Sequence, residues 1–124
     1  MNFFIKQNST LPLLKYPLDY ELMEIYGINN EMFDDIAVTF SMINLDNGVY
    51  EIANVPAGHG FDEHSGEFVL TYRFKLSDTK KPGLYTGEFK LDFLEEKDCG
   101  KVTIPTDDTI LIKIGDSITK TSVF

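Results

Sequence analysis

The sharpest pattern in the chain is strict alternation of apolar and polar residues. In Phe68-Val69-Leu70-Thr71-Tyr72-Arg73-Phe74-Lys75-Leu76, one face carries Phe68, Leu70, Tyr72, Phe74 and Leu76. The other carries Val69, Thr71, Arg73 and Lys75. Residues 85–93 repeat the pattern, with Tyr85, Gly87, Phe89, Leu91 and Phe93 set against Thr86, Glu88, Lys90 and Asp92. Successive side chains of a strand point to opposite sides, whereas a helix would spread these residues around its circumference. Both segments are therefore predicted strands with one buried and one wet face. Residues 36–42 read likewise, with Ile36, Val38, Phe40 and Met42 inward and Thr39 and Ser41 outward. Asp46-Asn47-Gly48 tolerates positive φ, which predicts a tight turn and a return strand over 49–53.

Shorter strands are predicted over 3–6, 13–16, 102–104 and 110–114, the last from Ile110, Ile112 and Ile114 alternating with Leu111 and Lys113. Frequent turn signals between short strands predict an all-β, Ig-like antiparallel β-sandwich of about 7–8 strands. It is read as one domain over residues 1–114, followed by a C-terminal tail over 115–124. Two stretches resist the strand pattern. Residues 19–35 place Leu22, Ile25 and Tyr26 at helical spacing before Gly27, which predicts a short helical turn inside a long insert. Residues 56–66 hold three glycines, two histidines and two acids, and read as a surface loop. The tail is polar until Val123-Phe124 and is expected to be frayed or docked on a partner.

Composition bounds what such a sandwich could do. With 124 residues, 43% of them hydrophobic and 13% aromatic, the chain can fill one core and hardly a second. No run approaches the roughly 18 apolar residues of a membrane span, so no bilayer crossing is expected. The first residues lack a basic n-region and a small-residue cleavage site, so no signal peptide is expected. A single cysteine, Cys99, excludes an intrachain disulfide and a Cys-rich metal site. The net charge of −9 argues against nucleic acid as a partner. That charge is uneven. Residues 1–66 hold two bases against ten acids, and residues 67–124 nine bases against ten acids.

Candidate chemistry is sparse. Gly58 to His64, with His59, Asp62, Glu63 and His64, is the only cluster of potential metal ligands in the sequence. It lies in a glycine-rich loop with no second ligand group, and a metal site needs three or four ligands on rigid elements. Cys99 sits beside Asp98, where a carboxylate raises a thiol's pKa and suppresses its reactivity. Ser65 follows His64 directly, but chain neighbours seldom form a nucleophile–base pair, and no GxSxG elbow exists. The carboxylate pairs Asp34-Asp35, Glu95-Glu96 and Asp107-Asp108 fall in or beside turns and read as solubilising. Asn8-Ser9-Thr10 matches a glycosylation sequon and reads as a turn. Catalytic, cofactor and metal residues are all expected to be absent.

The segment from Ser77 to Phe89 is more informative. Asp78, Gly83 and Tyr85 arrange an acid, a glycine and a tyrosine entering the next strand, similar to the tyrosine corner of immunoglobulin-like sandwiches. Gly87 stands where antibody domains place a cysteine, and the chain has no tryptophan. Packing alone must therefore hold such a core together.

The order of motifs resembles small Ig-like domains of tailed-phage virions. Ile5-Lys6-Gln7-Asn8-Ser9-Thr10-Leu11-Pro12 is similar to their opening strand and turn, and Val38-Thr39-Phe40-Ser41-Met42 to their central strand. Tyr72-Arg73-Phe74, Asp78-Thr79, Pro82-Gly83 and Tyr85-Thr86-Gly87-Glu88-Phe89 resemble their core, and Val102-Thr103-Ile104-Pro105 with 110–114 their closing strands. Such domains form the N-terminal part of upper baseplate proteins and occur as stand-alone copies in crAss-like phages. Baseplate relatives usually continue into a further region, so the resemblance implies a head auxiliary, decoration or connector-associated protein. It would assemble in the host cytoplasm, reside in the virion, and dock on major capsid or portal–tail subunits, in symmetric copies, without enzymatic activity, cofactor, nucleic acid or membrane.

A baseplate or tail adaptor and a carbohydrate-binding adhesive module are the alternative readings, and a small hydrolase fits least. The acids Asp19, Glu21, Glu24, Glu31, Asp34 and Asp35 are the predicted partner contacts, facing solvent or a basic patch on a neighbouring subunit.

Overall fold

The computed structural model describes residues 1–93 and 100–117, apart from the side chains of Asn30, Met32 and Asp34. Cys99, Glu95, Glu96 and tail residues 118–124 lie outside that range. Along the chain run β1 (Asn2–Lys6), β2 (Leu14–Leu18), helix α1 (Tyr20–Tyr26), a 3-10 turn (Asn30–Asp35), β3 (Ile36–Asn44) and β4 (Tyr50–Pro56). Then follow β5 (Gly58–Asp62), β6 (Glu67–Tyr72), a second 3-10 turn (Leu76–Thr79), β7 (Gly83–Phe93), β8 (Lys101–Ile104) and β9 (Ile110–Gly115).

The fold is an all-β sandwich of two sheets. One sheet runs β1-β9-β7-β3-β4, with β8 also paired to β7; the other runs β2-β6-β5. This is the order of an immunoglobulin variable-type sandwich: β9-β7-β3-β4 stand where strands G, F, C and C′ stand, and β2-β6-β5 where B, E and D stand. All pairings are antiparallel except β1 with β9, which is parallel. That parallel pair apart, the antiparallel sandwich is as expected.

The alternation in β7 is realised residue by residue. Tyr85, Gly87, Phe89, Leu91 and Phe93 are buried, and the residues between them are not. One edge pairs with β3, and the other with β9 along its first half and β8 along its second, so both edges are used along nearly all its 11 residues. Phe40 on β3 occupies the centre of the core. Its ring stacks on Tyr72 at 4.6 Å, tilts against Phe89 at 5.0 Å and meets the edge of Phe74 at 6.2 Å. A Cβ on Gly87 would stand 2.7 Å from this ring, so the residue in the cysteine position has to be glycine. An aromatic cluster thus does what disulfide and tryptophan do in antibody domains.

Several expectations need correction. The structure has nine described strands, because residues 56–66 are not simply a loop: β5 pairs with β6 over the whole of Gly58–Asp62. The β6 strand ends at Tyr72, and the chain then turns, leaving Leu76 58% exposed although alternation placed it inward. Val69, placed on the wet face, is buried; it lies on the middle strand of three, in register with Pro17 and Gly60. Ser41, also placed outward, is buried at a bulge between β3 and β4, where its Oγ accepts the Asn54 N–H at 2.9 Å.

The helix forms as expected. Asp19 caps its start by accepting the Leu22 N–H at 2.8 Å, and Gly27 ends it at φ 71°. The Ile28 N–H then reaches back to the Met23 carbonyl at 2.8 Å, closing the last turn.

Candidate interaction surfaces

The polar residues of the β6–β7 crossing hold the sandwich rather than face a ligand. The Tyr85 hydroxyl donates to the Lys81 carbonyl at 2.7 Å, four residues upstream, the geometry of a tyrosine corner. Gly83 adopts φ 154°, a conformation L side chains rarely take. Asp78 serves a different tyrosine. Its Oδ2 accepts the Tyr72 hydroxyl at 2.7 Å and the Lys75 N–H at 2.9 Å. Thr79, fully buried, donates to the Ser9 carbonyl at 2.9 Å and ties the sequon segment to the corner.

Burial pushes the pKa of the Tyr85 hydroxyl up, and burial together with the bond to Asp78 pushes that of Tyr72 up, so both resist ionisation. Tyr16 is pushed up to about 12, first by burial and then by the Asp108 charge. Asp108 is held low, first by the Thr109 backbone N–H and then by the terminal amine of Met1 at 3.2 Å.

The acidic insert joins β2 to β3 at one end of the sandwich, the place of a B–C loop. Within α1 only Met23 is buried; Glu21, Glu24 and Ile25 lie on the opposite, exposed side. Glu31 and Asp35 are exposed on the 3-10 turn that follows. Tyr20, Met23, Glu24, Ile28, Asn29 and Glu31 line a shallow concavity there. Of the predicted contacts, Asp19 is already engaged as the helix cap. Glu21, Glu24, Glu31 and Asp35 share one end of the molecule, and the Asp34 side chain lies outside the described residues.

The two histidines are not brought together with other ligands. His59 lies on β5 with its ring 5.8 Å from Phe33, which in turn stacks on Phe68 at 4.7 Å. His64 lies in the turn after β5, where its backbone N–H donates to Asp62 Oδ1 at 3.0 Å. Among the described residues no group of three metal-ligating side chains converges. No described helix is long and apolar enough to cross a membrane.

The chain matches no family model, no curated protein and no solved structure. Its surface must therefore be read on its own chemistry.

Sequence reasoning missed the surface at the opposite end. An open groove of about 870 Å³ lies there over the β1–β9–β7 face, with Phe4, Leu11, Pro12, Pro82, Leu84 and Lys113 among its walls. Phe4, Lys113 and Leu84 stand side by side across three strands. Phe4 is 64% exposed, Leu11 58% and Leu84 45%. A signal for it exists in the sequence: Phe3-Phe4-Ile5 and Leu84-Tyr85 put apolar residues next to one another, and a strand must turn one of two neighbours outward.

Proposed function

We propose that this chain is a non-enzymatic structural protein of a tailed-phage virion. In this reading it is a head auxiliary, decoration or connector-associated subunit that docks on capsid or portal–tail proteins. One observation carries the reading: Ser41, Asp78, Thr79 and the hydroxyls of Tyr72 and Tyr85 bond to the fold itself, with the Gln7 side-chain oxygen the buried exception among the described residues, while exposed apolar and charged side chains collect at the two ends of the sandwich. A protein whose work is contact has this distribution, because catalysis would require polar groups converging on a sheltered cleft.

Support also comes from the order of the strand and turn motifs along residues 3–114. The docking surfaces are then the acidic insert and the apolar groove, and the roughly 800 Å² per partner of an ordinary specific contact is a small part of the chain's 7809 Å² surface.

The test is the protein content of purified phage particles. The reading expects the chain in the particle at a copy number matching a capsid or tail symmetry. Its absence from particles, with the chain left free in the infected cell, would overturn it.

A further inference from the structure

The two ends of the sandwich are chemically complementary. At one end, residues 19–35 carry six acids and no base. Glu21, Glu24, Glu31 and Asp35 are exposed there, and Tyr20 and Ile25 stand among them at 69% and 60% exposure. At the other end, residues 73–81 carry Arg73, Lys75, Lys80 and Lys81 against a single acid, Asp78, whose Oδ2 is taken up by Tyr72 and Lys75.

Lys6, whose Nζ donates to the Asp116 carbonyl at 3.3 Å, and Lys113 add to this basic end around the apolar groove. Six bases there, Arg73, Lys75, Lys80 and Lys81 included, outnumber the acids Asp46, Glu51, Asp78 and Asp116. Lys81 also approaches Glu51 at 3.7 Å, but it remains 77% exposed. Strand order fixes the separation. β2 runs into the insert and β7 runs from the groove towards it, so β7 spans the distance between them, about 36 Å at the usual rise per residue. One end is thus an acidic surface with protruding apolar side chains. The other is a basic surface with an apolar recess.

We propose that the groove at the β1–β9–β7 end receives the α1 end of a second copy of this chain, so that copies associate head to tail. Ile25 and Tyr20 of one copy fill the recess between Phe4, Leu11 and Leu84 of the next. Glu21, Glu24 and Glu31 meet the Lys6, Lys113 and corner lysines around it. The apolar contact supplies the driving force, and opposite charges fix the orientation, since like ends repel. Because donor and acceptor surfaces differ, the contact is heterologous. It leaves one end of every pair open, and so builds rings or short chains rather than a closed two-fold dimer. The inference does not require the virion reading, and a phage particle need not be present for it to operate.

The experiment is sedimentation of the full chain, alone and as mixed variants. Wild type is expected to show a concentration-dependent series beyond the dimer. Its association should weaken roughly fivefold or more when salt rises from low to several times the physiological level. Glu21→Lys with Ile25→Lys blocks the acidic end, and Phe4→Glu with Leu84→Glu blocks the groove end. Each variant alone should be monomeric. Mixed, they retain one good groove and one good acidic end, and should give a 1:1 dimer and nothing larger, which also demonstrates that both are folded.

A wild type that stays monomeric at high concentration overturns the proposal. If Phe4 and Leu84 are then protected from solvent within the monomer, the groove is covered by the same chain rather than by a second copy. A wild type that closes at the dimer, with mixed variants failing to pair, overturns it in favour of a two-fold contact.

Discussion

The β6–β7 crossing and the β2–β3 insert are both irregular connections rich in charge, yet they use it in opposite ways. In the crossing, Asp78 accepts two hydrogen bonds, Tyr85 pins Lys81, and Thr79 fastens the segment to Ser9. In the insert Asp19 is bonded to its own backbone neighbour, whereas Glu21, Glu24 and Glu31 are exposed. An acid surrounded by donors contributes to folding. Several acids in a row without a base mutually repel, and so carry a cost to folding that only another surface can offset. The difference separates the part of the molecule that is scaffold from the part available for contact.

The scaffold side can be broken most severely at Phe40, the ring on which the core cluster converges. Phe40→Ala is expected to lower stability by about 3–5 kcal/mol, read from denaturant midpoints, because it removes a fully buried ring and leaves a cavity. Asp78→Ala should cost about 2 kcal/mol by the same measurement, since the buried Tyr72 hydroxyl then loses its acceptor. A change within error would mean that the crossing is not held by this acid.

High pH attacks the same side without a mutation. Tyr16, Tyr72 and Tyr85 ionise less readily folded than unfolded, so their contribution is complete below the free tyrosine value of about 10. It is lost as pH rises through that value towards the folded ones, Tyr16's being about 12. Absorbance should show three of the six tyrosines forming tyrosinate late and together with unfolding. Six independent titrations near the ordinary value would contradict the buried bonding.

In the insert, Asp19→Ala should cost about 1 kcal/mol, the usual loss for an N-cap. Among the described acids of the insert, it is the one for which folding is expected to suffer.

Legibility in the sequence followed the same division. β7 was readable because one face is buried and the other wet along its whole length, so every position reports its side. The corner was readable because Gly83 and Tyr85 are required by backbone geometry and by a fixed hydrogen bond. β5 was not. Gly58 and Gly60 leave one face without side chains, so no alternation can show; a Cβ on Gly58 would stand 2.7 Å from Thr71 Oγ1. The end of β6 was also hidden, since Phe74 remains buried after the strand has ended, and the alternation runs on past it.

The acids of the insert could be counted in the sequence. Their opposition to a basic groove could not, because Phe4 and Leu84 are distant in sequence and meet only through the pairing of β1 and β7 with β9. Surface complementarity depends on which strands share an edge, and local patterning carries no record of that.

The most direct test of the account neutralises the exposed acids together. For the variant Glu21→Gln, Glu24→Gln, Glu31→Gln, thermal stability and salt-dependent self-association are measured on the same preparation. The account predicts stability within about 0.5 kcal/mol of wild type, with most of the salt-sensitive association lost. A variant that unfolds, or that folds normally and associates with the wild-type salt dependence, would contradict it.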